Sequence, residues 1–126
     1  MIRTELNLRL PNSPGALGAV CRLLSDERVN IVALALEAGG HLRMVVDNHV
    51  HAAAVLRDHH HQVTERDVIL MMLPNTPGAL APALKLVSDA NVNINYAYAG
   101  ATDTAPIAAV VVGVEDAQRA AAAAGV

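Results

Sequence analysis

The stretch Pro11-Asn12-Ser13-Pro14-Gly15-Ala16-Leu17 returns 63 residues later as Pro74-Asn75-Thr76-Pro77-Gly78-Ala79-Leu80. The similarity extends beyond this loop, because 13 of the 22 positions from Leu10 to Ile31 are identical to the residue 63 places further on. The shift is half of the 126-residue chain. The sequence is therefore a duplicated unit, and a repeat of this kind constrains the fold before any single element does.

In each copy the repeated loop is predicted to join a strand to a helix. The first loop follows the alternating run Glu5–Leu10, which is typical of a half-buried strand. It precedes a helix whose apolar residues recur at i, i+3, i+4 and i+7, namely Leu17, Val20, Cys21 and Leu24. The corresponding run Val68–Leu73 shows no alternation, so both faces of that strand are expected to be covered.

The remaining segments predict the rest of each unit. Two strands over Ile31–Ala38 and Leu42–Asp47 flank a Gly39-Gly40 hairpin. A helix over His49–His60 and a short strand over Gln62–Glu65 follow them. The second half continues with strands over Asn93–Ala99 and Pro106–Val114 and an Ala-rich helix over Glu115–Ala124.

The second half lacks the final strand of the first half. Its unpaired edge is expected to be covered either by another chain or by the residues before Val68. Pro82 lies about one turn into the second predicted helix, where the first unit has Ala19, and it predicts a loosened first turn. A unit of about 63 residues is near the lower limit for an independent core. We therefore expect one compact body of two similar domains, residues 1–65 and residues 66–126.

The composition excludes several classes of function. A net charge of −3 with no cluster of basic residues makes nucleic acid an unlikely partner. The single Cys21 allows no intrachain disulfide, suits a reducing compartment and is expected to lie inert in the core. Neither a signal peptide nor a membrane-spanning segment is predicted, which favours a cytoplasmic protein without a membrane partner. The 53% apolar content hints at additional burial in an oligomer.

The repeated loop has the chemistry to bind a zwitterion. Free N–H groups at the start of a helix attract anions, and Gly15 and Gly78 allow a ligand to approach the backbone closely. The side chains of Asn12 and Asn75 can both donate and accept hydrogen bonds. A free amino acid would satisfy all three features. The alternative is structural, since Pro at the first helical position and Asn or Ser as a cap are common folding devices.

The pattern Leu-Pro-Asn-Ser-Pro-Gly-Ala-Leu, followed by a helix and by Val-Asn-Ile opening a strand, resembles the ACT domain. The resemblance covers nearly the whole chain, twice, and is greatest to stand-alone proteins made of two fused ACT domains. It implies an α+β fold of two ferredoxin-like βαββαβ units, side by side in one antiparallel eight-stranded-type sheet with the helices on one face. The missing or short last strand of the second unit departs from the family pattern.

The resemblance also implies effector sites at the seam between two modules. One site would use the first loop, Asn12, Ser13, Pro14, Gly15, Ala16 and Leu17, against Asn95, Tyr96 and Ala97. The pseudo-symmetric site would use the second loop, Asn75, Thr76, Pro77, Gly78, Ala79 and Leu80, against Val32, Ala33 and Leu34. We rank the first site higher because Asn95 and Tyr96 make it more polar. Packing in a core or an interface is the alternative for Tyr96 and Tyr98.

No catalytic or metal-binding constellation is visible. The chain has six histidines, His41, His49, His51, His59, His60 and His61, but three consecutive ones fan apart on a helix and no second Cys joins them. The acidic residues and the serines show no interpretable spacing to a base. We predict no metal, no cofactor and no enzymatic activity.

The sequence thus predicts a non-catalytic regulatory protein that senses a free amino acid at the seam between two ACT-like modules. Ligand binding would shift the packing at this seam and act allosterically on a partner protein that the sequence does not identify. A homodimer is the expected assembly. The alternative is an assembly or protein-interaction module with a degenerate ligand site.

Overall fold

A computed structural model describes residues 1–126. It contains six strands and four helices, and every strand pair described below is antiparallel, which confirms the α+β class. Their bounds in chain order are β1 Ile2–Arg9, α1 Ala16–Asp26, β2 Ile31–Leu36, β3 His41–Val46, α2 His49–Asp58, β4 Thr64–Pro74, α3 Leu80–Asp89, β5 Ile94–Gly100, β6 Ile107–Val114 and α4 Ala117–Ala124.

The chain divides into two compact units. The first unit comprises Thr4–Arg66, and the second unit comprises Met1–Arg3 together with Asp67–Val126. The expected boundary after residue 65 put Met1–Arg3 with the first half, whereas the contacts of these three residues put them in the second unit. Strands β1 and β4 each have residues in both units.

The first unit has the strand order β2-β3-β1, and α1 and α2 pack against one face of it. The predicted alternation along β1 is confirmed, because Leu6, Leu8 and Leu10 are buried in the core of this unit. Leu6 lies opposite Met44 and Leu8 opposite Leu42 in the register of β1 and β3. The helices add to the core the residues Val20, Leu24, Ala52, Ala53 and Leu56.

Cys21 is an exception to the predicted apolar stripe of α1. It is only half-buried, and it lines an open cavity with Ser25 and Ile31 instead of joining the core. The helix buries only Val20 and Leu24 completely, so its buried face is narrower than the spacing of apolar residues suggested.

The second unit has the strand order β4-β6-β5 and a core of its own. Ile69 lies opposite Val112 and Met71 opposite Val110. The four consecutive residues from Val68 to Met71 are all buried, which confirms that both faces of this part of β4 are covered.

The prediction of an eight-stranded-type sheet is wrong, because the chain forms six strands. The segments Gln62–Glu65 and Val68–Leu73 were predicted as separate strands, but Thr64 and Glu65 continue without a break into Val68–Leu73 as one strand of 11 residues, β4. No Gly, Pro or Asn lies between them to turn the chain, so the backbone continues in the extended conformation.

The second unit was predicted to lack its last strand, and the edge left open is covered by the N-terminus of the same chain. The Met1 ammonium group donates to the Leu70 carbonyl at 2.9 Å, and the Leu70 N–H donates to the Met1 carbonyl at 2.8 Å. Ile2 packs against the core of this unit. Partial burial lowers the pKa of the Met1 ammonium group below its ordinary value. Of the two expected sources, another chain or the residues before Val68, the second is observed, because Met1 and Ile2 precede Val68 in the chain.

No helix in the structure combines the length and the apolar character required to cross a membrane.

Candidate functional site

Each unit contains one copy of the repeated loop, which we call the first loop (residues 11–17) and the second loop (residues 74–80). Gly15 and Gly78 have the same left-handed backbone conformation, with φ of 84° in both. Side chains strongly disfavour this conformation, so each strand-to-helix turn requires glycine. The duplication has therefore preserved the backbone path of the loop as well as its sequence.

The first loop presents backbone donors that the protein does not use. The Ser13 N–H bonds to the Pro11 carbonyl at 2.9 Å, and the Ala16 N–H bonds to the Ser13 carbonyl at 3.3 Å. The N–H groups of Gly15, Leu17 and Gly18 have no acceptor, and no side chain caps α1. Unsatisfied N–H groups at a helix start carry partial positive charge and attract an anionic group.

The β2–β3 hairpin lies beside the first loop. The Leu10 N–H donates to the Gly40 carbonyl at 2.7 Å, which ties the end of β1 to the hairpin. Gly40 has φ of 85°, and a Cβ at this position would collide with the Leu10 carbonyl oxygen. Only glycine lets the hairpin approach the first loop this closely.

A cavity of about 360 Å³ lies between the first loop and this hairpin. We call it the first-loop cavity. Its lining residues are Leu10, Pro11, Asn12, Ser13, Gly15, Ala16, Leu17, Gly18, Leu36, Glu37, Ala38 and Gly40. The structure thus brings five of the six predicted first-loop residues to one cavity, and Pro14 is the one that does not line it.

Two side chains at this cavity can recognise a zwitterion. Asn12 is exposed and its amide makes no hydrogen bond within the protein. The Glu37 carboxylate is half-exposed, and its Oε1 atom lies 3.1 Å from Nη2 of Arg43, whose side chain is only 14% exposed. The largely covered Arg43 side chain pairs with the carboxylate of Glu37, a residue that lines the cavity, and this carboxylate can accept further hydrogen bonds.

The sequence pattern predicts the β2–β3 connection only as a turn and does not single out Glu37. The antiparallel pairing of β1 with β3, which places Arg9 opposite His41, brings the start of the hairpin to the end of β1. An acidic residue two positions before Gly39 was the available signal, but using it requires this long-range register.

The second loop makes different contacts. Asn75 Nδ2 donates to the carbonyls of Thr102 and Ala105, both at 2.9 Å. The Asn75 N–H also donates to the Pro106 carbonyl at 3.0 Å. Asn75 therefore fixes the connection between β5 and β6, whereas Asn12 has no such role.

The helix after the second loop begins one residue later than the helix after the first. In the first unit the Ala19 N–H donates to the Gly15 carbonyl at 2.9 Å. The corresponding residue, Pro82, has no N–H, so the Gly78 carbonyl loses this partner. Helix α3 begins at Leu80, the counterpart of Leu17, whereas α1 begins at Ala16. The predicted loosening of this turn is confirmed.

The strand residues predicted to face the loops are distributed as follows. Val32 and Leu34 lie on β2 with 37% and 39% of their surface exposed. Asn95 lies on β5 and accepts a hydrogen bond from Asn93 at 3.1 Å. The Tyr96 ring covers Gly113 on the neighbouring strand and stacks on Tyr98, with 6.4 Å between the ring centroids. The pairing of each loop with a strand of another module stays a prediction.

The histidines take part in separate local contacts. His41 Nε2 lies 2.8 Å from Asn7 Oδ1, and His59 Nδ1 lies 3.0 Å from the Val55 carbonyl. His51 lies 3.7 Å from Glu27. The structure contains no group of three or more His, Cys, Asp or Glu side chains placed to hold a metal ion.

These observations define the class of protein. It is an α+β protein built from two ferredoxin-like units, each with a glycine-dependent loop before its first helix. Over residues 1–122 the sequence matches the family described as an ACT domain pair. The chain belongs to this family, whose domain pair is a regulatory module. None of the proteins of curated function matches the sequence.

Solved structures agree with this assignment. Protein BT0572 from Bacteroides thetaiotaomicron is 32% identical, with a TM-score of 0.87 over 98% of this chain and 86% of that one. The ligand-free regulatory subunit of aspartate kinase from Thermus thermophilus has a TM-score of 0.72 at 16% identity, over 99% of this chain and 92% of that one. The corresponding subunit from Thermus flavus has a TM-score of 0.65 at 15% identity, over 98% and 90%. The two aspartate kinase subunits show a shared fold.

Proposed function

We propose that the chain is a non-catalytic regulatory protein that binds a free amino acid at the seam between ACT modules. The observation that carries this proposal is the first-loop cavity, which is lined by residues with unused backbone N–H groups, by Asn12 with its free amide and by Glu37. A cavity of about 360 Å³ is large enough for one small molecule and suits a single amino acid.

Each end of an amino acid has a complementary group in this cavity. The N–H groups of Gly15, Leu17 and Gly18 receive the ligand's carboxylate. The Asn12 side chain orients the zwitterion, because an amide both donates and accepts. The fold shared with regulatory subunits of aspartate kinase supports the same class of function.

In the proposed assembly, a strand of a neighbouring module faces each loop. Asn95 and Tyr96 close the site at the first loop, and Val32 and Leu34 face the second loop. The assembly is a homodimer, and the single free Cys21 suits the reducing cytoplasm. Ligand binding at such a seam changes the relative free energies of two packing states and so biases a partner protein.

Binding of each standard L-amino acid, measured by isothermal calorimetry and by thermal melting, tests this function. At least one amino acid is expected to release heat and to raise the melting temperature, since a ligand at 100 times its Kd stabilises the folded state by about 2.7 kcal/mol. The N12A variant, folded normally by circular dichroism, should bind this amino acid more weakly. The absence of both heat and stabilisation with every amino acid would overturn the proposal.

An assembly module with a degenerate ligand site is the second candidate. Strand β2 pairs with β3 alone, and its residues Val32, Leu34 and Leu36 are 37%, 39% and 44% exposed. Exposed apolar side chains along a sheet edge favour association with another chain. Sedimentation of the wild type and of the L34K variant tests this. A dimer that L34K dissociates, in a protein that binds no amino acid, would favour this candidate over the sensor.

A further inference from the structure

The two loops differ in how their asparagine side chains are used. Asn12 makes no side-chain hydrogen bond, whereas Asn75 donates both of its Nδ2 hydrogens, to the carbonyls of Thr102 and Ala105. A primary amide has two donor hydrogens, so Asn75 has none left for a ligand. Turning Asn75 towards a ligand would also break both hydrogen bonds, and the Thr102 carbonyl would keep only the Ala105 N–H as a partner.

The loops differ again in their acidic neighbours. Glu37 lines the first-loop cavity, and the residue 63 positions later is Gly100, which carries no acid. The β5–β6 connection does contain one acidic residue, Asp103, which is exposed and makes no hydrogen bond or ion pair. In contrast, the Arg43 guanidinium fixes Glu37 beside the first loop.

We propose that each chain has one amino-acid site, at the first loop, and that Glu37 binds the ligand's ammonium group. This inference rests on the proposed function. The second loop is a structural clamp whose Asn75 holds the β5–β6 connection. An ammonium group has three donors and no acceptor, and a carboxylate that already bonds one guanidinium can still accept from it. The opposite end of the ligand, its carboxylate, bonds the free N–H groups of the first loop.

Calorimetry with the tightest-binding standard L-amino acid measures the number of sites. One ligand per chain is expected, and the N75A variant should keep this number while its melting temperature falls. Two ligands per chain in the wild type would overturn the single-site inference while leaving the proposed function intact. Failure of every amino acid to bind would instead remove the proposed function itself.

A comparison of two ligands tests the role of Glu37. The probes are the same L-amino acid and its 2-hydroxy acid analogue, in which a hydroxyl replaces the ammonium group. The E37Q variant is expected to bind the amino acid roughly 10- to 100-fold more weakly, because the ligand's ammonium group loses its negatively charged hydrogen-bond acceptor. The hydroxy acid should bind weakly to the wild type and lose little more in E37Q, since the two changes remove the same interaction.

Two conservative variants serve as matched controls. D103N removes the acid of the β5–β6 connection, and E65Q removes a glutamate that lies 4.0 Å from Arg57 in the first unit. Neither should change the affinity. Equal weakening by E37Q for the amino acid and the hydroxy acid would show that Glu37 acts on folding or on the ligand's carboxylate, and it would overturn the proposed contact. If D103N weakened binding as much as E37Q, the assignment of the site to the first loop would be overturned.

Discussion

At the scale of single residues, replacing either loop glycine should lower the free energy of unfolding by the same amount, but only one of the two replacements should weaken ligand binding. Gly15 and Gly78 share φ of 84°, and a Cβ at either position would meet nothing within 4 Å. The loss of stability in G15A and in G78A should therefore come from backbone strain alone and amount to about 1–2 kcal/mol in each variant. Urea unfolding measures both. Amino-acid binding should weaken in G15A only, and a much larger destabilisation in one variant would contradict the conserved backbone path.

A second residue-scale prediction concerns the pair Tyr96 and Gly113. These residues lie opposite each other on β5 and β6, whereas the counterpart pair in the first unit is Ala33 and Val45. A Cβ at residue 113 would collide with the Tyr96 ring, so G113V should destabilise the protein by about 1–3 kcal/mol through overpacking. The double variant Y96A/G113V reproduces the pair of the first unit and should recover part of this loss in urea unfolding. No recovery would show that the ring and the glycine are not coupled.

At the scale of secondary-structure elements, Pro82 separates two otherwise similar helices. P82A restores an N–H that can donate to the Gly78 carbonyl, as the Ala19 N–H does to Gly15. The variant should gain roughly 1 kcal/mol, the usual net contribution of one hydrogen bond, and α3 should begin one residue earlier. The reverse change, A19P, should cost at least as much and delay the start of α1. Amide hydrogen exchange in the first turns of α1 and α3 measures both changes. Exchange rates that stay unchanged in P82A and A19P would contradict the prediction.

The first three residues behave as part of an element of the second unit. Met1 exchanges two hydrogen bonds with Leu70, and Ile2 packs against the core of this unit. The I2A variant should lose about 1–2 kcal/mol, less than a fully buried large-to-small change because Ile2 is only partly buried. Hydrogen exchange at Leu70 should accelerate in I2A. L34A, which changes an exposed apolar residue of the first unit, is the control and should leave this amide unaffected.

Local patterns in the sequence predicted the elements but not every contact between them. The alternation at Leu6, Leu8 and Leu10 and the continuous apolar run from Val68 are local, and both predictions were confirmed. The docking of Met1–Arg3 depends on a partner 69 positions away, and no local pattern encodes such a distance. The fusion of two predicted strands into β4 was missed because a gap in apolar residues resembled a break in the backbone.

The candidate site shows the same limit. The loop residues are visible because the duplication repeats them, but Glu37 is not repeated and reaches the cavity only through the pairing of β1 with β3. The two copies also differ in ways that identity between the loops conceals. Asn12 and Asn75 occupy matching positions, yet only Asn75 is bonded to the β5–β6 connection, which is longer than its counterpart in the first unit.

At the scale of the whole molecule, duplication has produced two units with the same local backbone and different chemistry. Each unit has its own core, so a change in one loop need not disturb the other. In the proposed single-site arrangement, this separation allows the second loop to serve stability while the first serves recognition. The ACT domain pair family sets the general role, and the first-loop cavity supports the proposed ligand class.

The most direct measurement is a titration of ¹⁵N-labelled protein with the tightest-binding L-amino acid, in which two-dimensional NMR monitors the glycine amide signals. We predict saturable shifts of the Gly15 and Gly18 amides, which face the first-loop cavity, and no comparable shift of Gly78. Shifts at Gly78 that equal those at Gly15 would show two equivalent sites. Saturable binding that leaves both Gly15 and Gly18 unchanged would contradict the account, because the ligand would then lie elsewhere.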